Sequence, residues 1–272
     1  TRFIDDQGSI AGVQLAHAGR KASVDAPWRG GTSLDESQGG WRPLLAPSAE
    51  AFSSRSAVPE ALSADEIDRI VGDFKRAARR SRAAGFRVIE LHAAHGYLLH
   101  QFLSPLSNTR TDAYGGPLEN RARLLLDIVR AVRAEIGETV PLMVRFSATD
   151  YAGGGWDAAQ TSTVAGWAHE AGADFFDISS GGLISGVQIP LAPGYQVPFA
   201  EQVRETADVS VSAVGLITEV AQAAAIVASG QADAVMLGRE MMRDPHFPLR
   251  AAHELGVELD YWPPQYVRAK WR

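Results

Sequence analysis

Two histidines three residues apart, His92 and His95, stand in the segment Glu90-Leu91-His92-Ala93-Ala94-His95-Gly96-Tyr97. If a strand ends near the first, imidazoles at i and i+3 across the strand-to-loop turn can converge on one point and donate hydrogen bonds to one oxygen. Two other readings suit the same spacing. One is a metal pair, for which no third ligand is obvious and the H-E-x-x-H pattern is absent. The other is a pair of core histidines satisfied by carbonyl partners. Tyr97 brings a phenol near the same spot, where it could give a proton to a developing carbanion or simply anchor a loop.

A second constellation lies later in the chain, at Val214-Gly215-Leu216 and Leu237-Gly238-Arg239, with Thr218 opening the helix after the first. Glycine lets backbone approach a ligand closely and arginine offers a bidentate fork, so the arrangement resembles a phosphate site built after strands seven and eight of a barrel. No Walker lysine motif and no G-x-G-x-x-G after a strand occurs, which disfavours a nucleoside triphosphate or a Rossmann dinucleotide. Arg110, Asp112, Asn120 and Arg121 flank the Gly115-Gly116-Pro117 turn, and structural pairing is the expected role for them. Gly153–Gly155 reads as a mobile turn.

Short runs rich in Val, Ile and Phe alternate with stretches of helical period, the pattern of repeated βα units around a parallel sheet. Strands are expected at Gly12–His17, Val88–His92, Leu142–Ser147, Phe175–Ser179, Val209–Val214 and Ala234–Leu237, which makes six βα units. Helices are expected near Asp65–Ala84, Glu119–Ile136, Ala158–Ala171, Phe199–Ala207 and Glu219–Ser229. Ser63 with Glu66 forms a capping box, and Arg79, Arg80 and Arg82 followed by Gly85 mark that helix's end. Catalytic faces of parallel barrels lie at the C-terminal strand ends, so the two long connections, Ala18–Leu62 and Ala93–Pro117, are expected to build the site. Trp28, Trp41, Leu44, Leu45 and Phe52 make the first of them a lid rather than a solvated tether.

The 272 residues are 46% apolar and 21% charged, which excludes disordered and collagenous classes and suits one domain, a (β/α)8 barrel or a large doubly wound sheet. A net charge of −6 without runs of like charge argues against nucleic acid as a partner. The absence of cysteine removes disulfides, Cys-ligated zinc, iron–sulfur clusters and a thiol nucleophile, and a cytoplasmic address is the expectation. No run reaches the ~18 consecutive apolar residues of a membrane span.

QLAHAGRKAS (Gln14–Ser23), ELHAAHGYLLHQFLSPLSNTRTDAYGGPLENRARLLL (Glu90–Leu126), AVGLIT (Ala213–Thr218) and MLGREMMRDPHF (Met236–Phe247) closely resemble the Old Yellow Enzyme family, in particular its bacterial, thermophilic-like ene-reductases. The resemblance spans the chain. It implies a TIM barrel of α/β class that binds FMN and uses NADPH or NADH to reduce the activated C=C bond of α,β-unsaturated carbonyl compounds, by ping-pong transfer of hydride from flavin N5. By motif, Gln14 matches the group bonded to the flavin pyrimidine edge and Arg145 the cation near N1. Gly215, Gly238 and Arg239 match the phosphate site. His92 and His95 match the pair that grips the substrate carbonyl oxygen, and Tyr97 the α-carbon proton donor. Under this resemblance metal binding recedes. Lys21, Trp28 and the Trp41 region match the loop at the substrate entrance. Gln265-Tyr266-Val267-Arg268 resembles a tail that carries an arginine into a neighbouring subunit's site, so a homodimer or dimer-based tetramer with Arg268 shared across the interface is expected.

Family members begin with two further βα units, and this chain opens without Met, so an N-terminally truncated barrel is expected here. That expectation leaves an alternative, a non-catalytic or assembly-dependent flavin-binding fragment. Relatives of the dienoyl-CoA reductase type, with a Cys-rich cluster segment, are weaker rivals because no cysteine is present.

Overall fold

A computed structural model describes residues 1–260 and 262–271. In chain order its strands are β1 (Gly12–Leu15), β2 (Leu45–Ala46), β3 (Glu60–Ala61), β4 (Val88–Ala93), β5 (Leu142–Ser147), β6 (Phe175–Ser179), β7 (Val211–Ala213) and β8 (Ala234–Val235). The helices are α1 (Arg2–Asp6), α2 (Ala64–Ala83), α3 (Leu98–Leu103), α4 (Leu118–Ile136), α5 (Ala158–Glu170), α6 (Val197–Ala207), α7 (Val220–Ala228), α8 (Arg239–Arg243) and α9 (Phe247–Glu254). All six expected strands join one sheet in the order β1-β4-β5-β6-β7-β8, and every pairing is parallel. Each strand except the last hands over to the next through at least one of the long helices, the right arrangement for parallel neighbours.

Local chemistry sets the helix boundaries. Ser63 Oγ accepts from the Glu66 amide at 3.3 Å while Glu66 Oε2 accepts from the Ser63 amide at 2.9 Å, so α2 begins with a reciprocal cap. Asp157 caps α5 by accepting from the Gln160 amide at 2.9 Å.

Alternation along the strands divides the sheet into two chemically distinct faces. Ile89, Leu91, Val144, Phe146, Phe176 and Ile178 are fully buried and pack in one core cluster with Ile67, Phe74, Ile128, Val129 and Val132 of α2 and α4. The opposite face is polar. Gln14 pairs in register with Glu90, His92 with Arg145, Arg145 with Asp177, and Asp177 with Ser212, so these side chains form one layer across five strands.

Three expected strands end early: β1 stops at Leu15, β7 at Ala213 and β8 at Val235. Their last residues leave the ladder. His17 Nδ1 accepts from the Gly19 amide at 3.0 Å, and Gly215 and Leu216 take left-handed φ of 119° and 52°. Helix α3, inside the long connection after β4, is not visible in the periodicity because it is short and buried on every side. The Ala18–Leu62 segment is partly ordered by the parallel β2–β3 pair, with Leu44 buried and Trp28 and Trp41 exposed. No described helix is long and apolar enough to cross a membrane.

Candidate active site

Strand β4 delivers His92 to the polar face, and the chain then turns through His95 and Gly96 with φ of 56° and 70°. Two successive left-handed residues need restraints, because a non-glycine there costs about 1–3 kcal/mol. Ser147 Oγ accepts the His95 amide at 2.9 Å, Lys21 Nζ donates to the His95 carbonyl at 2.9 Å, and Gln101 Nε2 donates to the Gly96 carbonyl at 2.7 Å. A Cβ on Gly96 would overlap the Gly182 carbonyl and lie 2.9 Å from Leu183 Cα, both backbone. Gly96→Ala is therefore expected to lose at least about 1–3 kcal/mol of stability and to displace Tyr97, which denaturant unfolding and ligand titration together would register.

The two imidazoles face each other. His95 Nδ1 lies 3.3 Å from His92 Nε2, the ring centroids are 5.1 Å apart, and Tyr97 stands edge-on to His92 at 5.1 Å. His95 Nε2 is 2.8 Å from Ser179 Oγ, Ser179 lies 3.3 Å from Gln196 Oε1, and Gln196 Nε2 donates to the Val214 carbonyl at 3.1 Å. Assigning protons so that every contact has a donor makes Ser179 donate to Gln196, His95 Nε2–H to Ser179, and His92 Nε2–H to His95 Nδ1. His92 Nδ1 then remains a buried acceptor with no partner among the described residues. Burial, helped by the Arg145 charge, lowers His92 to about 4 and His95 to about 3, so both rings are neutral donors near pH 7.

Beneath them runs the polar layer. Arg145 Nε is 2.9 Å from the fully buried Asp177 Oδ2, although its N–H points off that line, and Ser212 Oγ donates to Asp177 Oδ1 at 3.0 Å. Burial raises Asp177 to about 6 against the pull of Arg145. Glu90 is also raised by burial, opposed by Gln14, whose Nε2 donates to Glu90 Oε2 at 2.5 Å, and by Arg145. Arg145 is thus a cation held over two reluctant anions.

His95, Arg145, Ser179, Gln196, Gly215, Gly238 and Arg239 line one open cleft of about 450 Å³ at the exits of β5 to β8, a volume in the range of small-molecule and cofactor sites. A Cβ on Gly215 would lie 2.8 Å from Gln196 Nε2, whereas one on Gly238 would meet nothing within 4 Å. The second glycine leaves open space at the mouth of the cleft. Arg239 is exposed there and pairs with no carboxylate among the described residues, while Arg243 beside it is taken by Glu240 at 2.7 Å. A free guanidinium, open backbone and an inner cation suit a long ligand with a phosphate at one end and an electron-rich ring at the other.

The remaining expected residues lie outside this cleft. Gln14 is exposed on edge strand β1 with its amide turned to Glu90. Trp28 is 84% exposed and Arg268 lies on an exposed 3₁₀ turn, Pro264–Ala269. Among the described residues no three His, Asp or Glu side chains converge as metal ligands. Four participants went unnoticed in the sequence. Asp177, Ser179, Ser180 and Gln196 carry no motif of their own, and only alternation within β6 hinted that Asp177 and Ser179 share a face.

The profile of the NADH:flavin oxidoreductase / NADH oxidase family matches residues 1–258. The chain is 46% identical over 268 residues to an NADPH dehydrogenase of Bacillus subtilis (strain 168), covering 98% of this chain and 73% of that protein. It is 46% identical over 265 residues to one of Listeria innocua serovar 6a, covering 97% and 72%. Morphinone reductase superposes with a TM-score of 0.73 at 29% identity, covering 96% of this chain and 69% of that one. An old yellow enzyme homologue from Zymomonas mobilis superposes with a TM-score of 0.73 at 25% identity, covering 98% and 75%. The parallel α/β sheet with its polar inner face, the cleft at the strand exits and these similarities agree: the chain belongs to the NADH:flavin oxidoreductase / NADH oxidase family, α/β-barrel oxidoreductases that work with FMN and NAD(P)H.

Proposed function

We propose that the protein reduces the activated C=C bond of α,β-unsaturated carbonyl compounds. The observation that carries this reading is the pair of neutral, mutually bonded imidazoles beside a cleft that ends in a free arginine. FMN, when bound in the cleft, would supply the hydride that a reduced nicotinamide provides. The residues present fit that cofactor. Arg239, with the backbone of Gly215 and Gly238, would hold its phosphate, Arg145 would face its electron-rich ring edge, and Gln14 would reach its pyrimidine side after release from Glu90.

The protein's own part in the chemistry is to polarise and protonate. A carbonyl oxygen entering between the histidines takes the His92 Nε2–H that now goes to His95, and rotation of the His95 ring off Ser179 brings a second N–H to it. Donors aimed at the oxygen where charge develops make the β-carbon electrophilic. Tyr97, edge-on to His92, then gives its phenolic proton to the α-carbon. The 18–62 segment acts as a lid, with Trp28 at the entrance. Its base is fixed by Arg20 and Lys21, which donate to the Leu183, His95 and Gly182 carbonyls. We further assign a homodimer or dimer-based tetramer in which Arg268 serves the neighbouring site, in the cytoplasm. The names of the relatives, both NADPH dehydrogenases, disfavour a non-catalytic flavin-binding fragment.

A visible absorbance spectrum before and after addition of a para-substituted phenol tests the reading. A flavin spectrum that gains a long-wavelength charge-transfer band supports it, and a flavin spectrum indifferent to phenol counts against the histidine site. Arg239→Ala is expected to weaken FMN binding by about tenfold or more, the loss of one charge-assisted phosphate contact, with little effect on folding because the side chain is exposed. Equilibrium dialysis of the flavin reads this directly, and undiminished retention would refute the phosphate assignment.

A further inference from the structure

The turn that carries His95 and Tyr97 has its backbone polar groups taken by side chains, and one of these belongs to a residue with no part in the chemistry above. His100, on α3, is completely buried, and its Nδ1 accepts the Gly96 amide at 3.0 Å. A ring nitrogen that accepts carries no proton, so in the neutral ring the proton sits on Nε2. That atom lies 3.0 Å from Asp150 Oδ1, off the N–H axis but within direct electrostatic reach, and Asp150 is itself buried in the loop after β5. The other carboxylate oxygen, Oδ2, accepts from Ser104 Oγ at 2.6 Å and from the Trp156 amide at 2.8 Å. Asp150 therefore presents an acceptor to His100 and is immobilised by two donors behind it.

We propose that His100, held by Asp150 in the tautomer with a bare Nδ1, is a positioning residue that clamps the Gly96 amide and so places His95 and Tyr97 for the substrate. This rests on the enone-reductase reading of the His92, His95 and Tyr97 site. Gly96 lies between the two functional side chains, and among the described residues the acceptor of its amide is His100 Nδ1. Ser147, Lys21 and Gln101 fix the neighbouring polar groups. Without the His100 acceptor the buried Gly96 N–H has no partner among the described residues, and the strained φ of 56° at His95 loses a restraint.

The two arms of His100 separate by substitution. Asn at position 100 retains an acceptor near Nδ1 and gives up the contact with Asp150, whereas Gln retains the distant contact and leaves Gly96 without an acceptor. Asp150→Asn acts on the tautomer. The Trp156 amide must be met by the carboxamide oxygen, so the NH₂ faces His100, moves its proton to Nδ1 and sets two donors against each other at Gly96.

The test uses the FMN-loaded protein and a para-substituted phenol, with flavin content and melting temperature followed in parallel. His100→Gln and Asp150→Asn are expected to raise the phenol dissociation constant about tenfold or more, as misplacement of a site by a fraction of an ångström does, at full flavin content. His100→Asn is expected to bind phenol nearly as the unaltered protein does, although its melting temperature falls with the others. A packing role alone would make binding follow melting temperature, with Asn and Gln alike, and that result overturns the clamp. Imidazole ¹⁵N NMR of the unaltered protein is expected to find His100 protonated on Nε2 only. A proton on Nδ1 overturns the inference even where a variant fails to fold. Absence of a phenol band in the unaltered protein instead overturns the enone-site reading, and the inference with it.

Discussion

Alanine at both His92 and His95 is expected to lower kcat/KM for an enone by about 10²–10³-fold, the size of effect seen when a preorganised oxyanion donor is removed. The half-reaction that loads the flavin with electrons from dithionite should be unchanged, because that reductant needs no carbonyl grip. Phenol affinity should fall in parallel with kcat/KM. Equal enone kinetics in the double variant would sink the oxygen-gripping role. The two effects will not add, since each ring currently bonds the other at 3.3 Å and removing one also frees its neighbour.

The same pair sets a pH signature. Their folded values of about 4 and about 3 lie below the ordinary 6.5, so the unfolded chain takes up protons first as the solution is acidified. The stability they contribute is fully present above pH 6.5 and is lost as pH falls toward 4 and 3. Asp177 acts in the opposite direction, because its value is raised from 3.8 to about 6. What it contributes is present below 3.8 and is lost as pH rises through 6. The two trends oppose each other between about pH 4 and 6. Removing both histidines should therefore flatten the acid limb of a stability-versus-pH curve, and enone kinetics of the unaltered protein should show no imidazole inflection between about pH 5 and 8.

Arg145→Met is the second large effect. It leaves Asp177, fully buried and 2.9 Å away, without its cation, a change that costs about 3–5 kcal/mol when one partner of a buried pair is removed. Adding Asp177→Asn removes the stranded charge, and the double variant Arg145→Met/Asp177→Asn is expected to recover most of that stability in denaturant unfolding. Flavin binding should not recover with it, because the cation proposed to face the ring edge is still missing. Recovery of both would mean that Arg145 matters only as the counter-ion of Asp177.

Much of this was legible in the chain. β5 and β6 begin and end where Val, Phe and Ile alternation places them, and α2 starts at the Ser63–Glu66 box. Periodicity and capping are local, and tertiary packing reinforced them. The histidine pair, Tyr97 and the glycine-arginine exits were visible for a different reason, as residue types rarely gathered by chance into one motif. Less legible were the early ends of β1, β7 and β8: β4 and β6 run on past the last rungs of β1 and β7, so these ladders end where the chain turns away near His17 and Gly215, which periodicity does not record. Ser179 and Gln196 were missed as well. They are 17 residues apart, in a strand end and at the start of a helix, and they meet only because both chain segments border the same cleft.

What the chain alone settled is the alternation of strands and helices and the parallel α/β class, and it supplied the candidates proposed to polarise a carbonyl or hold a phosphate. Those properties follow from periodicity and from side-chain chemistry, both carried by neighbouring residues. Folding settled that burial holds both histidines below their ordinary pKa, that their rings meet at 3.3 Å, and that Arg145 stands over Asp177 and Glu90. Burial and cross-strand register govern a group's charge and its hydrogen-bond partner, and both arise from residues far apart in the chain.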